Sequence, residues 1–131
     1  MGRLRRCTMY QDTDYMYRCW VCPERVGVIE YTQYIFEYLN RDNGRMVAHL
    51  EAFVYTNEIH LNDLFVIPYA RRQHLATKLI EHAMEFRENQ TVHLECYADN
   101  YAALALYRKL GFEIKNESED RDSILYHMIK K

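Results

Sequence analysis

Glycine and proline are scarce in this 131-residue chain, with four and two copies. No segment carries a glycine-rich nucleotide signature, which excludes a P-loop. No apolar run approaches the ~20 residues that a membrane-spanning helix needs. The opening stretch MGRLRRCTMY lacks the apolar core of a signal peptide. Arg6 stands where a myristoylation signal prefers Ser or Thr, so the initial Met-Gly is not read as one. A cytoplasmic protein is expected, with Cys7, Cys19, Cys22 and Cys96 as free thiols. Neither sign of charge dominates. A net charge of -2 gives no electrostatic footing for nucleic acid and leaves room for a cationic partner.

Metal and redox signatures are missing as well. CWVC (19–22) has no second tight Cys/His pair with which to hold zinc. Pro23 and Gly27 deny it the helix start that a redox CxxC occupies. Cys19 and Cys22 are read as two small buried hydrophobes beside Trp20. His49, His82, His93 and His127 show no metal-like spacing and are read as structural.

What is present is a pattern of strands and two helices. The 49% apolar content and the length fit one domain over 1–131. Residues 1–27 are the least readable part, with polar Gln11 to Asp14, aromatic Tyr15 to Trp20 and a break from Pro23 to Gly27. Residues 28–40 are rich in β-branched and aromatic types and read as a strand. Asn43-Gly44 suits a hairpin turn. RMVAHLEAFVYTN returns as a second strand and EIHLNDLFVIP forms a third, giving an antiparallel meander. Leu75, Leu79, Ala83 and Phe86 then recur at helical spacing over 73–88. TVHLECYA (91–98) alternates as a strand, and NYAALALYRKLGF (100–112) is a helix closed by Gly111. KNESEDRD (115–122) reads as a charged loop and SILYHMIK (123–130) as a closing strand. The class is α/β with a mixed sheet and one βα crossover.

That crossover runs through PYARRQHLATKL (68–79). A strand entering a helix through a short polar loop leaves backbone N–H groups unpaired at the positive end of the helix dipole, which suits an anion. Arg71 and Arg72 add forked donors that match phosphate. Downstream, Asn100-x-x-Ala103-x-x-x-Tyr107-x-x-x-Gly111-Phe112 follows a second strand. Together the two motifs resemble the GNAT superfamily of acetyl-CoA-dependent N-acetyltransferases. The pyrophosphate loop of that family reads Arg/Gln-x-x-Gly-x-Gly/Ala after an apolar-Val-x-Pro strand end. Here Arg71-Arg72-Gln73-His74-Leu75-Ala76 follows Val66-x-Pro68, with His74 in the glycine position. The resemblance covers residues 34–130. It implies the GNAT fold: an antiparallel N-terminal meander, a central βα crossover, splayed central strands, and an abbreviated N-terminal helical segment within 1–27.

The same resemblance implies acetyl-CoA as cosubstrate. Arg71, Arg72, Gln73, His74, Leu75, Ala76 and Thr77 would cradle its pyrophosphate. Leu64, Phe65 and Val66 would line the pantetheine arm from one side, with Asn100, Ala103 and Tyr107 on the other. Tyr107 matches the family tyrosine that returns a proton to the leaving thiolate.

An amine acceptor is protonated at pH 7 and must lose a proton before it attacks a thioester. On the strand 58–67, Glu58, His60, Asn62 and Leu64 share one face, and Ile59, Leu61, Asp63 and Phe65 the other. Glu58 and His60 are candidate bases. Leu61 to Val66 is similar to a Leu-Glu-Asp-Phe-Phe-Val segment of polyamine acetyltransferases, in which the glutamate assists deprotonation and the aspartate holds the cation. Asn62 replaces that glutamate and cannot accept a proton, while Asp63 is retained, so Asn62 and Asp63 are expected at the substrate. The expected acceptor is a small cationic amine such as a polyamine. The alternatives are an aminoglycoside, a protein lysine or N-terminus, or a degenerate CoA-binding protein without catalysis. A homodimer through the last strands is the expected assembly, with neither nucleic acid nor membrane as partner.

Overall fold

The computed structural model describes residues 5–11, 15–26 and 29–131, with side chains over 15–22 and 29–131. In chain order the elements are β1 (Arg5–Gln11), β2 (Tyr15–Val26), β3 (Ile29–Asn40), β4 (Met46–Val54), β5 (Glu58–Val66), a 3-10 turn (Pro68–Ala70), α1 (Leu75–Met84), β6 (Thr91–Tyr97), α2 (Tyr101–Lys109), β7 (Glu113–Asp120) and β8 (Ser123–Lys130). They build one eight-stranded sheet in the order β1-β2-β3-β4-β5-β6-β8-β7. Only β5 and β6 are parallel, joined through α1 as the expected crossover.

The helical segment expected within 1–27 is replaced by β1 and β2, which extend the meander by two antiparallel strands. The physical reason is the aromatic and β-branched run of β2, whose ladder to β3 stays in register from Tyr15↔Asn40 to Val26↔Ile29. Within 1–27, residues 1–4, 12–14 and 27 lie outside the described backbone. Three residues apart on a strand, Cys19 and Cys22 face opposite sides and do not converge as a CxxC. Cys19 is disulfide-bonded, against the free thiol expected, whereas Cys22 and Cys96 are buried and form no disulfide.

Side-chain alternation assigns the two faces. Phe36 and Leu50 are cross-strand partners, as are Tyr38 and Ala48, and all four are buried on the face that receives α1. Tyr34 stacks on Phe86 at 4.1 Å, Tyr17 stacks on His82 at 3.9 Å, and the Tyr38 hydroxyl lies 3.0 Å from His82 Nε2. Ile59, Leu61, Val92, Leu94 and Met128 continue this core under α2. On the opposite face, Trp20 Nε1 donates to Glu37 Oε1 (2.8 Å), and Arg18 also bonds Glu37 (2.9 Å). No helix among the described residues covers that face, and no described helix is long and apolar enough to cross a membrane.

The charged segment expected as a loop is instead β7, paired with β8 down to Asp120↔Ser123. Its side chains are almost all exposed, so it shows no apolar alternation. A two-residue turn at Arg121 (φ 51) and Asp122 (φ 66) forces the pairing.

Two stability changes follow. Asp122→Gly removes a left-handed side-chain residue from the turn and should raise the unfolding free energy by ~0.5–1 kcal/mol in urea denaturation. Phe36→Ala, at a fully buried site beneath α1, should lower it by ~3–5 kcal/mol.

Candidate active site

The ladder between β5 and β6 holds only Glu58↔Thr91, Ile59↔Val92 and His60↔His93. Beyond it the strands part. β5 also carries a bulge: Glu51 lies opposite Asn62 and His49 opposite Phe65, so two β5 residues, Asp63 and Leu64, face one β4 position. Asp63 takes a left-handed φ of 56° at that bulge.

The bulge overturns the expected alternation. Leu61 pairs with Ala52 and Val66 with Ala48, both on the helix face of β4, so Leu64 and Val66 pack against the core with Ile59 and Leu61. Phe65 is left 42% exposed, and Asp63 turns toward the open face.

The parted strands enclose a cleft of about 530 Å³ that passes through the sheet. From the helix face it is lined by Leu61, Leu64, Cys96 and Tyr107, and from the open face by Glu51, Asp63, Glu95 and Asp120.

Tyr107 reaches the cleft because of how α2 ends. Phe112 N–H donates to the Tyr107 carbonyl (2.9 Å) and Gly111 N–H to the Arg108 carbonyl (3.0 Å), the paired bonds of a Schellman motif. Gly111 supplies the required φ of +96°, and a Cβ there would meet Lys130 Nζ at 2.6 Å. Phe112 packs edge-on against the Tyr107 ring at 6.1 Å. The sequence signature Tyr-x-x-x-Gly-Phe is thus a helix stop that fixes the tyrosine ring. The Tyr107 hydroxyl has no hydrogen-bond partner among the described residues, and burial, with the neighbouring Cys96 second, pushes its pKa up to about 12. Burial, and then Asp99, likewise raises the Cys96 thiol. Both groups are protonated at neutral pH.

Asn100 is the N-cap of α2, its Oδ1 accepting from Ala103 N–H at 3.3 Å, and both residues line the cleft. At the other helix, the first intrahelical bond is Lys78 N–H to the His74 carbonyl (3.0 Å). The N–H groups of Leu75, Ala76 and Thr77 precede it, and no side chain caps them. His74 has φ 61° and Arg72 φ 64°, so the loop keeps the backbone shape that glycine favours although His74 carries a Cβ. Arg71 Nε donates to the Val66 carbonyl at 3.0 Å, tying the loop to the end of β5. Arg72, Gln73 and His74 are exposed beside it.

The two expected bases sit elsewhere than the bulge. Glu58 Oε2 lies 2.7 Å from His60 Nε2 where β5 begins, and His60 stacks on His93 at 4.8 Å. The bond to His60 lowers the Glu58 pKa, and burial lowers that of His93.

Sequence reasoning missed Glu51 and His49. Both stand on the open face of β4, and with Asp63 they bring three acceptor atoms within 4.8 Å of one another. Burial raises the Glu51 carboxyl above its ordinary value, and the hydrogen bond and charge of Asp63 raise it further, while Gln33, donating at 3.0 Å, opposes this. His49 Nδ1 is buried without a hydrogen bond among the described residues. The available signal was the His-x-Glu alternation inside the apolar run VAHLEAF, which puts both side chains on one strand face.

The chain matches the model of the Acetyltransferase (GNAT) family over residues 4–112. It is 40% identical over 81 residues to the ribosomal protein bS18-alanine N-acetyltransferase of Escherichia coli, covering 57% of this chain and 55% of that relative. The chain therefore spans about half the length of the curated relatives it matches. The crystal structure of the ribosomal-protein-S18-alanine N-acetyltransferase from Escherichia coli superposes with a TM-score of 0.63 at 29% identity, over 76% of this chain and 68% of that one. The PaiA N-acetyltransferase of Thermoplasma acidophilum, solved with coenzyme A, gives a TM-score of 0.60 at 18% identity, over 74% and 59%. With its crossover loop, parted strands and Asn…Tyr…Gly-Phe helix, the chain belongs to the GNAT acetyltransferase family.

Proposed function

We propose that the protein transfers the acetyl group of acetyl-CoA to the α-amino group at a polypeptide N-terminus. The observation that carries this reading is the through-sheet cleft, with uncapped helix amides at the end of β5 on one side and an acceptor trio on the other. Uncapped N–H groups at a helix start suit a pyrophosphate, and the loop holds them open with His74 already in the left-handed region. Leu75, Ala76 and Thr77 would bind the phosphates through their amides, with Arg72, Gln73 and His74 beside them. Leu64 to Val66 on one strand, with Asn100 and Ala103 opposite, would flank the pantetheine arm. The cosubstrate brings the acetyl thioester to the cleft.

An ammonium has three N–H donors, and a His49 ring nitrogen, Glu51 and Asp63 offer three acceptors within 4.8 Å of one another. Glu51, its pKa raised by burial and by Asp63, takes the proton that the amine must lose. The free amine then attacks the thioester carbonyl, and the protonated Tyr107 hydroxyl donates to the departing sulfur. Glu58 and His60, at the root of the cleft, are displaced from the base role by this arrangement. The uncovered sheet face beside the cleft suits a polypeptide, and the similarity to bS18-alanine N-acetyltransferases supports the same class of acceptor. A small polycation is the second reading, favoured by the carboxylates of Glu51, Asp63, Glu95 and Asp120 around the cleft.

Release of the CoA thiol, followed with N-terminally free peptides, polyamines and aminoglycosides, separates the two. Turnover on peptides alone supports the first reading, and turnover on free polyamines alone replaces it with the second. Glu51→Gln should lower kcat/KM by ~10²–10⁴-fold and remove the ascending limb of the pH profile, which the raised Glu51 pKa moves upward from the ordinary carboxylate position. In the fold the neutral form of Glu51 is favoured, so its stabilising contribution is present at low pH and is lost as pH rises through the raised pKa. Glu51→Gln should accordingly match or exceed the parent in thermal stability at pH 7. Tyr107→Phe should lower kcat with little change in KM for the acceptor. His74→Gly should tighten CoA binding a few-fold in calorimetry, because glycine lets the phosphates approach closest.

A further inference from the structure

We propose that Glu58, His60 and His93 form a binding site for a divalent cation of the zinc class at the root of the cleft, where β5 and β6 are still joined. The three residues come together through register, not through sequence spacing. Glu58 and His60 are two apart on β5 and so share its open face, and the parallel ladder places His93 directly beside His60. Their donor atoms lie within 4.8 Å of one another, with Glu58 Oε2 2.7 Å from His60 Nε2 and Glu58 Oε1 3.8 Å from His93 Nε2. Ligands at 2.0–2.2 Å around a tetrahedral zinc ion stand roughly 3.3–3.5 Å apart, so side-chain adjustments of about 1 Å close the site.

Two imidazoles and one carboxylate select zinc, cobalt or nickel over calcium or magnesium, which take oxygen ligands. The fourth position opens into a hollow of about 340 Å³ on the open face, bordered by Asn62, Glu95 and Asn116.

An outer shell is in place behind His93. Its Nδ1 lies 2.9 Å from His127 Nε2, and His127 Nδ1 lies 3.2 Å from the Asn116 amide. Coordination through His93 Nε2 moves that ring's proton to Nδ1, which then donates to His127. His127 in turn holds its own proton on Nδ1, which faces Asn116 Nδ2 at 3.2 Å, so the Asn116 amide turns over to present its oxygen as acceptor. The Thr91 hydroxyl, 2.8 Å from His93 Nε2, gives way to the metal. Such a chain orients a ligating histidine. A metal here would pin the two strands at the point from which they diverge, and so set the opening of the cleft. The inference does not depend on the acceptor class.

Metal-free full-length protein titrated with zinc chloride in a calorimeter, and with cobalt chloride in a spectrophotometer, tests it. One saturable equivalent, the visible bands of four-coordinate cobalt and a metal-dependent rise in Tm are expected. His60→Ala and Glu58→Gln, both at partly exposed positions, should abolish the binding without unfolding the protein. His127→Ala should weaken it by ~10–100-fold, and His49→Ala should leave it unchanged. Absence of saturable binding, binding that survives His60→Ala, or binding lost in His49→Ala overturns the proposal.

Discussion

The hydrogen bonding between β5 and β6 stops after three residue pairs, and the rest of the site depends on that stop. A sheet interior is normally closed by its ladder, and a cleft through it requires backbone groups to give up their partners. Here the bulge at Asp63 and Leu64 turns β5 away while β6 continues straight along β8. The bulge also reverses the side-chain alternation at the opening, so that Leu64 and Val66 stay with the core and Asp63 reaches the acidic side. One irregularity therefore produces the cleft, its apolar wall and one of its carboxylates.

The groups around this opening are arranged against local stability. Glu51 shares a hydrogen bond with a second carboxyl, Asp63, His49 Nδ1 is buried without a hydrogen bond among the described residues, and Asp63, Arg72 and His74 are side-chain residues in left-handed backbone. Each such feature costs on the order of 1–3 kcal/mol and persists only where surrounding packing imposes it. That packing is supplied by the aromatic contacts of Tyr34, Phe36 and Tyr38 under α1 and by the Schellman stop that locks Tyr107 on Phe112. Unsatisfied and strained groups gathered around one end of β5 are what a candidate site shows and an ordinary sheet interior does not.

Some of this was open to a reader of the sequence. The Asn100…Tyr107…Gly111-Phe112 pattern is a local device, an N-cap and a helix stop, and local devices are written in adjacent residues. The crossover at Pro68 to Leu75 was equally visible, since a strand end, a polar loop and a helical period follow one another there. β7 was not, because a fully exposed edge strand carries no apolar alternation and takes its structure from the two-residue turn. β1 and β2 escaped for a related reason: their pairing is long-range, and the run from Tyr15 to Trp20 is consistent with either element.

The site divides in the same way. Tyr107, Asn100 and the loop from Arg71 to Thr77 lie within motifs whose geometry is set over a few residues, so the sequence determined them. The sequence likewise determined the α/β class, the meander and the crossover, since each follows from periodicity and turn chemistry. The faces of β5, the meeting of Glu51 with Asp63, the burial of His49 Nδ1 and the stack of His60 on His93 were decided only by tertiary structure. These are cross-strand relations, and a one-residue bulge inverts them without leaving any mark in the pattern of residue types.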